Sequence, residues 1–195
     1  MGEVWRAWGD VLTVWAVGVP LLVAATAVLV RVRVRQGRPR REALRWSVAE
    51  AAIVGGTLPW VWMILTPTAG PGGVSLVPLR DLVATLGSAP STVVVQVGAN
   101  LVLFVPLGFC LPLRLPRWAG VARMTLLGAA VSASLESAQY VLGLGRVSSV
   151  DDVLMNAAGA GLGACAARLH VARREAGRAY SSRLLLRLGG SGGLG

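Results

Sequence analysis

The sequence predicts an all-α protein: a polytopic membrane helix bundle with about five transmembrane helices. The 195-residue chain is 54% hydrophobic and only 14% charged, with a mean hydropathy of +0.64. A soluble domain carries nearer one quarter charged residues. Apolar runs of about 20 residues, the length that crosses a bilayer, recur along the chain. We assign them to residues 11–30, 48–66, 93–113, 123–144 and 152–171.

The first run and the connection after it form an N-terminal segment, residues 1–47. The leading flank, Met1 to Asp10, has no net positive charge, and the arginine cluster follows the apolar run. A secretory signal peptide has the reverse order of charge, so we expect this helix to be retained. The other four runs form a transmembrane domain at 48–171. A basic, Gly-rich cytoplasmic tail at 172–195 completes the chain.

The connection between the second and third runs predicts a short amphipathic helix. Leucines and a valine recur there at helical spacing after a Pro/Gly-rich turn. Ser75 is the predicted N-cap, and Pro78 suits the first turn. Asp81 suits the positive end of the helix dipole. We expect this helix to lie on the outer membrane surface.

Polar side chains interrupt the last three runs. Gln96 and Asn100 are four residues apart in the third run and share one helix face. Glu136 and Gln139 interrupt the fourth run three residues apart and also lie on the same side of their helix. Such groups are costly at membrane depth and usually face the interior of a bundle.

The fifth run carries a stripe along one face. Its members recur at helical spacing and are Asp152, Asn156, Gly159 and Gly163. The two glycines predict close approach of another helix. The polar part of the stripe lies at the same end of the bundle as the polar groups of the third and fourth runs. The sequence therefore predicts one polar cluster in the outer half of the membrane.

The basic residues predict the orientation. All 19 are arginine, and most of them lie in three regions, 31–45, 114–123 and 168–187. The positive-inside rule makes these regions cytoplasmic. Five spans then place the N-terminus outside and the C-terminus inside the plasma membrane. This arrangement explains the net charge of +10 without a nucleic-acid partner and makes anionic membrane lipids the expected contacts.

Three ordered motifs lie along the chain. Residues 74–82 read VSLVPLRDL, and residues 96–109 read QVGANLVLFVPLGF. Residues 134–139 read SLESAQ, then GR at 145–146, then DDVLMNAAG at 151–159. With these motifs the chain resembles the VanZ-like family over roughly residues 55–170. The family takes its name from a protein linked to resistance to the glycopeptide teicoplanin. The resemblance implies a role in the bacterial cell envelope, and it names no reaction.

Glu136 is the strongest candidate for chemistry. Near Arg146 it can act as an acid/base or belong to an anion-recognising cluster. The alternative is a buried ion pair that fixes the register of the helices. The amides at the same level favour a functional site; they are Gln96, Asn100, Gln139 and Asn156. Asp152 is the second catalytic candidate.

The remaining charged residues each have two interpretations. Asp151 and Asp152 could bind a divalent cation or cap the fifth helix. Arg80 and Arg146 could hold a phosphate, as in the head group of a lipid-linked cell-wall precursor. Otherwise these arginines pair with Asp81, Asp151 or Glu136.

Two function classes follow from these residues. The first is a non-catalytic envelope protein that binds or handles a lipid or precursor through an outward-facing pocket. The second is a membrane-embedded hydrolase or transferase acting on a lipid-phosphate-linked substrate, with Glu136 as acid/base. The sole histidine, His170, lies at the opposite end of the last span, which leaves a Ser-His-Asp triad without support. No motif predicts a cofactor or a resident metal.

Overall fold

The computed structural model describes the backbone of residues 2–189 and the side chains of 13–58, 61–90, 93–94 and 96–181. Six α-helices and two short strands make up this part of the chain, with a 3-10 turn before the fifth helix. They are α1 (Gly2–Arg35), α2 (Arg40–Ile64), β1 (Gly73–Ser75), α3 (Arg80–Leu86), α4 (Pro90–Arg114), the turn at Pro116–Trp118, α5 (Val121–Val141), β2 (Val147–Ser149) and α6 (Val150–Gly189). The all-α prediction is confirmed.

Helix α6 is the centre of the packing and lies against both α4 and α5. Helix α2 packs on α4, and α1 packs on α2 at the edge of the bundle. Leu103, Phe104 and Ala160 form the buried core between α4 and α6. Elsewhere large apolar side chains point outward, such as Leu126 and Leu162, which are 70% and 57% exposed. Such a surface suits lipid rather than water.

Glycines bring α4 and α6 into direct backbone contact. A Cβ on Gly159 would fall on the carbonyl oxygen of Leu101, and one on Gly163 would fall on that of Val105. Gly108 of α4 is equally close to the carbonyl of Ala160. The predicted close approach through Gly159 and Gly163 is therefore confirmed, and the partner is α4.

Five helices correspond to the five predicted runs, although α2 ends at Ile64 and α5 at Val141, before the predicted ends at 66 and 144. Among the described residues, three helices are long and apolar enough to cross a membrane by length and composition. These three are Thr13–Arg35, Arg40–Ile64 and Gln96–Arg114, among the described residues. Helices α5 and α6 fall outside this set because polar side chains lower their hydropathy. In α5 these side chains include Ser132, Glu136 and Gln139.

The sequence did not predict the two strands. β1 and β2 pair in parallel, with Gly73 opposite Val147 and Ser75 opposite Ser149. The prediction of Ser75 as a helix N-cap was wrong, because Ser75 lies in β1 and α3 begins only at Arg80. The N-cap position belongs to Leu79, whose φ of 65° is left-handed.

The C-terminal segment differs from the predicted tail. Helix α6 continues without a break from Val150 to Gly189, far beyond the predicted end of the span at residue 171. Most of the segment 172–195 is thus helical. Residues 190–195, the Gly-rich end of the predicted tail, lie outside the described residues.

Candidate functional site

Glu136 lies on α5 directly against the second strand. The main-chain N–H of Ser149 donates to Glu136 Oε2 at 3.1 Å. The hydroxyl of Ser148 donates to the main-chain carbonyl of Glu136 at 2.8 Å. These two hydrogen bonds tie β2 to α5 at Glu136. The side chain itself is only partly buried.

The Glu136 side chain lines a cavity of about 310 Å³, which we call the Glu136 recess. The polar lining residues besides Glu136 are Ser137, Tyr140, Ser148 and Ser149. The apolar lining residues are Val74, Leu76, Ala133, Val150 and Val153. Tyr140 is 60% exposed, so its phenol is accessible at the edge of the recess. A small cavity with a few polar groups on an apolar wall is the usual form of a ligand site.

Asp152 lies beside the recess but is not part of its lining. Asn100 Nδ2 donates to Asp152 Oδ1 at 2.5 Å, which connects α4 to α6. Asp152 is close enough to Glu136 for the two carboxylates to repel each other electrostatically. The structure thus brings together three of the predicted site residues: Glu136, Asp152 and Asn100.

Asp151 is buried and engaged with a different element. Its carboxylate accepts the main-chain N–H of Leu79 at 2.5 Å and that of Leu82 at 2.9 Å. These are donors at the start of α3, which has no side-chain cap of its own. Asp151 therefore caps α3 from a position 1% exposed. The sequence had suggested that Asp151 could cap the helix to which it belongs, α6, whereas in the structure it caps α3.

Asp81 joins the same junction from the side of α3. The hydroxyl of Ser149 donates to Asp81 Oδ2 at 2.6 Å. This hydrogen bond favours the ionised carboxylate and lowers the pKa of Asp81 below its usual value. Two carboxylates, Asp81 and Asp151, thus fix α3 to the segment that carries β2.

Arg146 and Gln139 both bind the C-terminal end of α2. Arg146 donates to the carbonyl of Met63 at 3.1 Å and to that of Thr66 at 3.3 Å. Gln139 Nε2 donates to the carbonyl of Ile64 at 3.1 Å. Carbonyls at a helix end lack partners within the helix, so these side chains satisfy them. Among the described residues no carboxylate lies within ion-pair distance of Arg146.

Three further predicted residues lie away from the recess lining. Asn156 is buried and donates to the hydroxyl of Ser132 at 2.8 Å, while its Oδ1 has no partner among the described residues. Arg80 and Gln96 are exposed. Within the part of the chain that the structure describes, no group of three or more His, Cys, Asp or Glu side chains is placed to hold a metal ion.

The sequence analysis missed a charged cluster at the other end of the bundle. Arg33 of α1 binds both oxygens of Glu50 on α2, at 2.6 and 2.9 Å, and Arg114 of α4 binds Oε1 at 2.6 Å. Arg114 and Arg38 also lie over the Trp46 ring, 4.3 and 4.6 Å from its centroid. The sequence contained a signal for this charged cluster, because Glu50 is the lone acidic residue inside the second apolar run.

Fold and site together define an all-α membrane protein with a polar recess among its helices. A family model described as VanZ/LLP1 matches residues 54–171, more than half of the chain. The chain therefore belongs to this VanZ-like family, as the three motifs indicated. No curated protein and no solved structure matches the chain.

Proposed function

We propose that this protein is a non-catalytic component of the bacterial cell envelope. In this proposal it binds the head group of a lipid or lipid-linked cell-wall precursor in the Glu136 recess. Binding of a precursor would connect the chain with resistance to glycopeptides of the teicoplanin type, since those antibiotics act at the envelope. Membership of the VanZ-like family supports this context.

The observation that carries the proposal is the position of Glu136. Its carboxylate lines the recess while the Ser149 N–H holds one of its oxygens. A carboxylate in an apolar membrane bundle is costly and usually marks a functional group. The other charged residues near the recess are already engaged: Asp151 caps α3, Asp152 accepts a hydrogen bond from Asn100, and Arg146 binds the end of α2.

The residues that line the recess favour a ligand with hydroxyl or amine groups over a phosphate. Glu136 contributes a hydrogen-bond acceptor, and Tyr140 and Ser137 contribute hydroxyls. Among the described residues, no arginine lines the recess. These groups suit sugar hydroxyls or an amine better than a phosphate. A phosphate-binding role for Arg80 and Arg146 has less support than it had from the sequence.

The proposal includes five spans, with the N-terminus outside and the C-terminus in the cytoplasm. The distribution of arginine supports this orientation through the positive-inside rule. The recess lies at the β1–β2 end of the bundle, where the connections contain few arginines. It would then open toward the outer face of the membrane, where precursors are used.

The test compares Glu136→Gln with wild type in two measurements. One is the amount of lipid-linked precursor that copurifies with the full chain, determined by mass spectrometry. The other is the teicoplanin susceptibility of cells that depend on the variant. A charge-assisted hydrogen bond contributes about 1.5–3 kcal/mol, so affinity should fall about tenfold or more.

Glu175→Gln provides the matched control. Glu175 is an exposed residue of α6 that lines a separate cavity with Arg168. The same chemical change there should leave precursor binding and susceptibility unchanged. Wild-type binding by a folded Glu136→Gln variant would contradict the proposal.

A hydrolase or transferase is the second candidate, and the Glu136–Asp152 pair favours it. Repulsion between two neighbouring carboxylates opposes the ionisation of both at once, and such a pair can serve acid/base catalysis. The substrate would be lipid-phosphate-linked. Under this alternative, folded Glu136→Gln keeps the precursor bound but no longer converts it. Unchanged turnover in that variant would exclude Glu136 as the acid/base.

A further inference from the structure

A second cavity lies between α1 and α2, in a part of the bundle that mostly precedes the family match. Its volume is about 980 Å³. Apart from Thr26 and three arginines, the lining consists of apolar side chains and glycines. Leu22 and Val23 contribute from α1, and Val48 and Ala52 contribute from α2. We call this cavity the α1–α2 groove.

The groove has a basic end. Arg31, Arg35 and Arg40 line it where α1 connects to α2. All three are exposed, and none forms an ion pair with a described residue. Their neighbours in the same connection are paired: Arg33 binds Glu50, and Arg38 binds Glu42. The three groove arginines therefore keep their charge available for an external anion.

The dimensions suit a lipid. Leu22 lies about 20 Å along the helix axis from Arg35, given a rise of about 1.5 Å per residue. The hydrocarbon part of one leaflet is about 15 Å, half of the bilayer core. An acyl chain could therefore occupy the apolar length of the groove while its head group remains at the arginines. An anion lacking such a chain would leave the apolar part unused.

We infer that the α1–α2 groove binds an anionic phospholipid, with its phosphate head group at Arg31, Arg35 and Arg40 and an acyl chain along the groove. Guanidinium groups bind phosphate through charge-assisted, often bidentate hydrogen bonds. The bound lipid would fill the space between α1 and α2 and hold α1 on the rest of the bundle. This site is separate from the Glu136 recess and does not rest on the proposed function.

The first measurement uses the full chain in detergent and native mass spectrometry. The probes are phosphatidylglycerol and phosphatidylcholine with identical acyl chains. Wild type should bind phosphatidylglycerol at least about tenfold more tightly. Equal affinity for the two lipids would overturn the inference.

The second measurement compares two double variants that each remove two positive charges from the same connection. Arg35→Gln/Arg40→Gln changes the groove, and Arg41→Gln/Arg45→Gln changes exposed arginines that do not line it. The first should weaken phosphatidylglycerol binding about tenfold or more, and the second less than about twofold. Equal weakening by both would mean general attraction to the basic connection, against a defined site.

The third measurement locates the acyl chain in the wild-type protein, so it depends on no variant. Phosphatidylglycerol with a photoreactive group in one chain is bound and cross-linked, and the labelled peptides are identified. Label should appear on peptides containing Val23 or Ala52. Label found only on α5 and α6 would overturn the inference.

Discussion

Asp151 Oδ1 accepts the main-chain N–H of Leu79 at 2.5 Å, although the two residues are far apart in the chain. The same carboxylate accepts the N–H of Leu82 through its second oxygen. A helix of seven residues, α3, is thus capped by the first turn of the longest helix, α6. This contact places α3 over the end of the bundle that contains the Glu136 recess.

Asp151→Asn should loosen α3. The substitution leaves one acceptor oxygen and replaces the other with an amide that cannot accept the second N–H. A buried donor left without a partner costs about 1–3 kcal/mol. We expect faster hydrogen exchange at Leu82 than in wild type and unchanged exchange in α5. Unaltered protection at Leu82 would show that α3 does not depend on this cap.

Gly163→Leu should disrupt the contact between α4 and α6. A Cβ at this position would lie 2.8 Å from the main-chain N of Phe109, and backbone cannot move aside as a side chain can. Overpacking of this kind costs about 1–3 kcal/mol or more. The measurement is the free energy of unfolding in mild detergent, together with the amount of protein in the membrane.

Gly177→Leu is the control for that substitution. Gly177 belongs to the same helix, and a Cβ there has nothing within 4 Å. Its replacement should leave stability unchanged or raise it by about 0.5–1 kcal/mol, since glycine weakens a helix interior. Equal losses at the two positions would point to a general intolerance of leucine in α6.

Glu50→Gln should weaken the attachment of α1. Glu50 holds Arg33 of α1 and Arg114 of α4 at once, so its neutralisation deprives two partly buried arginines of their charged partner. We expect unfolding to become easier by about 1–3 kcal/mol, reduced from the cost of full burial because solvent reaches the site. Protease cleavage between α1 and α2 should also accelerate.

Glu42→Gln tests whether any broken ion pair in this region has that effect. Arg38 and Glu42 form an exposed pair at 3.3 Å on neighbouring turns. Exposed pairs contribute little, so the free energy of unfolding should change by less than about 0.5 kcal/mol. A loss as large as that in Glu50→Gln would contradict a special role for the Glu50 cluster.

The proposed orientation predicts the accessibility of two introduced cysteines. With Cys110 and Cys165 replaced, an impermeant thiol reagent should label Ser88→Cys in intact cells and fail to label Gln36→Cys. Both positions are exposed, so burial does not account for a difference. Permeabilised cells, where both should react, provide the control. Labelling of Gln36→Cys from outside would reverse the orientation and place the Glu136 recess in the cytoplasmic half.

The sequence alone determined the helices and one of their interfaces. Apolar runs of bilayer length locate five helices, because a backbone in lipid must satisfy its own hydrogen bonds. Helical periodicity places Gly159 and Gly163 on one face, and only small residues permit the backbone contact seen with α4. The family motifs, matched over 54–171, were likewise readable from the sequence.

The tertiary structure decided which partner each polar residue of the candidate site contacts. Asp151 and Asp152 are adjacent in sequence, yet one caps α3 and the other binds Asn100 of α4. Arg146 was a candidate anion ligand, and its guanidinium binds carbonyls at the end of α2. Periodicity fixes only the face of a helix on which a side chain lies. The partner depends on which distant segment packs against that face. That segment is set by how the helices approach one another and by the pairing of β1 with β2, which joins the α2–α3 connection to the α5–α6 connection.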